Sequence, residues 1–77
     1  MPLYYFHIID GEFLVDQDGT ECINMDDVRT QAIDTAGALL RDKAGTYQAG
    51  ETWQMHVTNA AKKTVFKLQF SAETIAD

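Results

Sequence analysis

His7 and His56 are the natural metal ligands of this chain, and Cys22 is its natural nucleophile. A closed zinc site takes four ligands. Two histidines on neighbouring strands supply half of one, and Cys22 lies in another segment. Cys22 also has no basic residue near it in sequence to generate a thiolate. No serine precedes Ser71, so nucleophilic catalysis has little to work with. The stretch "DQDGTE" offers Asp16, Asp18 and Glu21 to calcium, but an EF-hand loop needs glycine at position six and glutamate at twelve. Here Gly19 falls at position four and Asp27 at twelve, so a polar turn is the better reading. Asp26, Asp27 and Asp34 suit the solvated side of a helix. No glycine-rich phosphate loop is present. A protein that is not an enzyme, with no cofactor and no metal, is the expectation.

The elements that would position these residues fit one domain over residues 1–77. A chain of this length buries only about 60% of the surface its unfolded form exposes, and association with a second copy is a common remedy. No run of eighteen apolar residues offers a membrane span. The opening "MPLYYFH" lacks a signal peptide's basic start and apolar stretch, so the cytoplasm is the default compartment. One cysteine forms no internal disulfide, which agrees with reducing surroundings.

"YYFHIIDGEFLVD" reads as a hairpin, because Asp10-Gly11 between apolar runs is a strong type I′ turn signal. A two-residue turn sets Ile8 opposite Phe13 and His7 opposite Leu14. "NMDDVRTQAIDTAGALLRDKAG" is a helix over about 25–44. Asn24 is its N-cap and Asp27 stands at the capping-box position. Asp26 and Asp27 lie in the first turn, Arg41 and Lys43 in the last, and Gly45 is the stop. Met25, Val28, Ala32, Ile33, Ala36, Leu39 and Leu40 trace its apolar stripe. Gly37 suggests close approach to something, since glycine costs roughly 1 kcal/mol inside a helix. Strands over about 3–9, 12–16, 52–58 and 63–70 complete an α+β fold, ββαββ. It is a four-stranded antiparallel sheet of order 2-1-3-4 with one helix on one face. In the last strand Thr64, Phe66, Leu68 and Phe70 point inward.

The helix-free face then carries Leu3, Tyr5, His7, Ile9 and Leu14, with His56, Thr58, Val65 and Lys67 beside them. Clustered exposed apolar residues mark an interaction surface. The expectation is a homodimer formed through this face or through the last edge strand. A C-terminal tail folded back over the face would be the bland alternative. A different class is a small-ligand sensor using a groove between helix and sheet near Trp53 and Tyr47.

Net charge is −6, with −7 in residues 1–42 and +1 in residues 43–77. Asp16, Asp18, Glu21, Asp26 and Asp27 put five carboxylates into twelve residues without an intervening Lys or Arg. They are the candidate docking cluster for a basic protein. Tyr4, Tyr5 and Phe6 on a sheet could stack single-stranded RNA bases, but nucleic acid is disfavoured without a basic groove.

The opening "PLYYFHIIDGE", the "DQDGTEC" turn, the helix "DDVRTQAIDTAGALL" and the closing pair "WQMHVTNAAKKTVFKLQF" together resemble a widespread family of small bacterial proteins. These open with a Y-[YF]-F-H-like strand followed by D-G and have no assigned function, so the resemblance brings no active site. Their usual glycine in the final turn is replaced here by Ala61 or its neighbours. The strand pair and acidic helix over Phe6–Leu40 are also similar in architecture to HicB-type antitoxins, which cover a small basic ribonuclease. That similarity implies an acidic, often dimeric, partner-binding module.

Overall fold

The computed structural model describes residues 2–46 and 52–76. It is an α+β fold in which one helix packs on an antiparallel sheet. Strands β1 (Leu3–Ile9), β2 (Phe13–Leu14) and β3 (Thr20–Glu21) precede helix α1 (Met25–Asp42), and β4 (Thr52–Thr58) and β5 (Thr64–Ser71) follow it. The sheet has five strands rather than the expected four. Its path is β2-β1-β4-β5, and β3 also pairs with β1. β2 and β3 share one edge of β1. β2 lies beside Ile8 and Ile9, and β3 beside Leu3 and Tyr4.

The first hairpin departs from expectation by one residue, and the consequence is large. Ile9 pairs with Phe13 and Ile8 with Leu14, so Asp10, Gly11 and Glu12 form a three-residue loop. A type I′ turn needs positive φ at both central residues. Only Gly11 supplies it, at φ 75°, while Asp10 stays on the ordinary side. The Asp10 carboxylate is instead held by Lys43 Nζ at 2.9 and 3.0 Å, which ties the loop to the end of the helix. Because side chains alternate, one added residue moves each β2 side chain to the opposite face.

α1 begins as its sequence predicts. Asp27 N–H donates to the Asn24 side chain at 2.9 Å, and the Asp27 carboxylate accepts from Ile23 N–H at 3.1 Å. Its end differs. Gly45 does not take the left-handed conformation of a glycine stop. Lys43 N–H is shared between the Leu39 and Leu40 carbonyls, and tight turns follow. Val28, Ala32 and Ala36, four residues apart, are the buried stripe, and α1 lies over β4 and β5. Ile33 faces solvent. Nothing stands within 4 Å of where a Cβ on Gly37 would be, so this glycine serves no close approach.

The core is Cys22, the three helix residues, and Trp53, Met55 and Val57 of β4. β4 alternates buried and half-exposed along its length, whereas every residue of β1 is only half-buried. On the core side Phe6 pairs with Val57, Ile8 with Met55, Leu68 with Met55 and Phe70 with Trp53. A bulge shifts the β4–β5 register between Val57 and Thr58. It places Val65 beside Phe66 against the core, not on the open face, and Thr64 opposite Thr58. The β4–β5 turn is closed by Asn59, whose side-chain oxygen accepts from Ala61 N–H at 2.9 Å and Lys63 N–H at 3.0 Å. Lys62 occupies the left-handed position, at φ 65°. It stands where glycine would be easiest.

Candidate functional site

The face of the sheet away from α1 holds the candidate site. Registers place Leu3, Tyr5, His7 and Ile9 there, with Thr58, His56 and Gln54 of β4 opposite the last three. Leu14 does not belong to it. As the partner of Ile8 it lies on the helix side, and Phe13, 60% exposed and paired with Ile9, takes its place. Val65 is displaced from the face by the bulge. The described tail residues 72–76 are all exposed, with Ile75 at 83%, so they do not cover the face.

The Tyr5 ring stacks over His7 with centroids 6.4 Å apart and planes 9° from parallel. Phe13 meets the same imidazole edge-on at 5.9 Å. Hydrogen bonds fix the ring. Nδ1 accepts from Asp16 N–H at 3.1 Å, and Nε2 lies 3.0 Å from Thr58 Oγ1. With Nδ1 as acceptor, the neutral ring carries its proton on Nε2 and donates to Thr58. Beside the rings runs an open concavity of about 550 Å³, lined by Tyr5, His7, Phe13, Val15, Thr58 and Lys62.

Asp16 belongs to the frame of this site. Its carboxylate accepts from Phe6 N–H (3.1 Å), Asp18 N–H (3.1 Å) and Gly19 N–H (3.2 Å), pinning the β2–β3 loop to β1. Partial burial pushes its pKa up, but those backbone donors, helped by His7, outweigh burial and hold the carboxyl below its ordinary value. Gly19, at φ 76°, completes the loop. A Cβ there would stand 2.9 Å from Tyr5 Cε2, so the loop lies directly on that ring.

The other carboxylates of the acidic cluster divide by role. Asp27 caps the helix and Asp26 pairs with Arg29. Glu21, opposite Leu3, stands on the open face, and Asp18 is exposed. His7 and His56 are cross-strand partners, and the His56 ring is engaged with Gln54 Oε1 at 2.8 Å. No group of three possible metal ligands occurs among the described residues. Cys22 is buried. Burial, and then the charge of Asp27, push its thiol pKa up, which keeps it protonated. Trp53 is 2% exposed, and Tyr47 lies outside the described residues. A gap between helix and sheet of about 340 Å³ lies at Phe6, Ile8, Leu14, Gln31, Thr35 and Leu39.

Phe13, Val15, Asn59 and Lys62 were not legible as site residues. The three-residue loop that turns Phe13 to the open face leaves no mark in the hydrophobic pattern, because both faces of the hairpin are apolar, and Val15, just past β2, borders both the concavity and the helix-side gap. The signal for the β4–β5 turn was Asn59 itself, whose side chain can hold a turn by bonding backbone N–H groups ahead of it.

Residues 3–71 match the model of a family described as a domain of unknown function (DUF6894), and the chain belongs to that family. No curated protein and no solved structure matches the chain. Among the described residues, no helix is long and apolar enough to cross a membrane.

Proposed function

We propose that this chain is a non-enzymatic, cytoplasmic protein–protein interaction module that works as a homodimer through the open face of its sheet. What carries the reading is the row Leu3, Tyr5, His7, Ile9 and Phe13, left uncovered by both helix and tail. A monomer rarely exposes a contiguous apolar patch beyond a few hundred Å². A chain this short has little core to spare for stability. The His7 ring is held by the Asp16 and Thr58 bonds and packs against Tyr5 and Phe13, which lowers the ordering entropy lost on docking.

Sedimentation of paired variants tests it. Phe13→Lys should weaken the dimer by at least tenfold, whereas Leu14→Lys, on the helix side, should leave it within about threefold. Equal effects would remove the open face from the interface.

The concavity beside Lys62 supports a second reading, a small-ligand sensor. A saturable response to a metabolite at protein concentrations below those of assembly would favour it. The acidic, antitoxin-like inhibitor has less support. Asp16, Asp26 and Asp27 are each engaged within the chain, which leaves Asp18 and Glu21 for a basic partner.

A further inference from the structure

The open face carries opposite charges at its two edges. On the β3 side stands Glu21, the partner of Leu3. On the β5 side stands Lys67, the partner of His56, and Lys62 lines the concavity beside Tyr5. The registers fix their levels along the strands. Tyr5 is level with Thr58, and Thr58 with Thr64, so the turn carrying Lys62 lies beyond Tyr5 in the direction of Leu3. Glu21 and Lys62 therefore occupy the same end of the sheet on opposite edges. Between them lie Tyr5 and Thr58, and Asp16 on the acidic side lines the same concavity as Lys62.

We propose that the occupant of this face is a second copy of the chain, related by a two-fold axis parallel to the strands, so that Glu21 of each copy meets Lys62 of the other. The proposal rests on the homodimer reading and gives it a geometry. Two sheets stacked face to face have two simple in-plane choices of axis. An axis across the strands turns one copy end for end, so Glu21 and Lys62 of each copy lie over the far end of the other sheet and do not meet. An axis along the strands sets the β3 edge of one copy against the β5 edge of the other. Only the second arrangement brings an acid over a lysine, and opposite charges facing across an interface fix its register. Two chains of net charge −6 already repel, so the local pattern decides. The strands of the two sheets then run nearly aligned, as in face-to-face packings at about −30°. A uniformly basic or acidic partner would match only one edge. A second copy matches both.

Sedimentation equilibrium at about 50 mM salt, where the Debye length still spans a contact, tests the axis. The samples are the unmodified chain, Glu21→Lys, Lys62→Glu and the double reversal. Lys62→Glu keeps a non-glycine residue at φ 65°, so the strain of the turn is retained. Circular dichroism and thermal unfolding report whether each variant is folded. Each single reversal replaces two attractions by two repulsions and should weaken the dimer about tenfold. The double reversal should return it to within about threefold of the unmodified chain. A dimer that ignores the single reversals, or whose double variant is as weak as both singles combined, overturns the axis and leaves the dimer standing. A chain that stays monomeric at high micromolar concentration overturns the dimer reading and this geometry together.

Discussion

Replacing Asp16 by alanine should be among the most damaging changes outside the core. The carboxylate takes three backbone N–H bonds, from Phe6, Asp18 and Gly19. A hydrogen bond to a charged group contributes about 1.5–3 kcal/mol net. Asp18 N–H is exposed and regains water at little cost, whereas the Phe6 and Gly19 bonds are partly buried. Counting those two near the lower end gives about 2–4 kcal/mol. A 77-residue domain has about 4–12 kcal/mol in all, and each kcal/mol moves Tm by about 4–8 °C. Asp16→Ala should therefore lower Tm by about 8–32 °C at pH 7. The pH dependence adds a second arm. The folded pKa is depressed, so the contribution is present above the unfolded value of about 3.9 and is lost as pH falls through the folded one. Urea unfolding of both proteins from pH 7 to pH 2 should show the gap closing at the acid end. A loss under about 0.5 kcal/mol at pH 7, or a gap that persists unchanged at pH 2, would refute the latch.

Other substitutions test single features of the fold. Gly37→Ala should stabilise by about 1 kcal/mol, since an added Cβ meets nothing; a destabilised variant in thermal melts would mean the helix packs closer than described. Gly19→Ala should cost at least about 1–2 kcal/mol from its φ of 76° alone, with more for the contact on Tyr5, and near-UV circular dichroism should show that ring disturbed. Lys62→Gly should raise stability by about 0.5–1 kcal/mol, the relief of left-handed strain less the added freedom of the unfolded chain; chemical denaturation that shows a loss would place that strain elsewhere.

The helix and the two long closing strands could be read from the chain because each carries its own local signal. Asn24 and Asp27 mark the start of α1, and Trp53, Met55 and Val57 alternate cleanly. What escaped was decided by single backbone torsions. One loop residue, Glu12, exchanged Leu14 for Phe13 on the open face, and one bulge took Val65 off it. The pairing of β3 with β1 escaped for a related reason. The two residues of β3 pair with β1 only because Asp16 and Gly19 fold the intervening loop onto Tyr5, and that contact spans segments no local pattern connects. The acidic cluster was plain as composition, but its division into latch, cap and open-face charge depends on which backbone donors lie near each carboxylate.

The central claim, self-association through the open face, is tested most directly by isotope-filtered NMR on a mixture of labelled and unlabelled chains. It predicts intermolecular contacts from the Tyr5 and Phe13 rings to Leu3, Ile9 and Thr58 methyl groups of the other copy. Filtered spectra with no such contacts at concentrations where the dimer is formed, or with contacts from Phe66 and Leu68 of the β5 edge in their place, would contradict it.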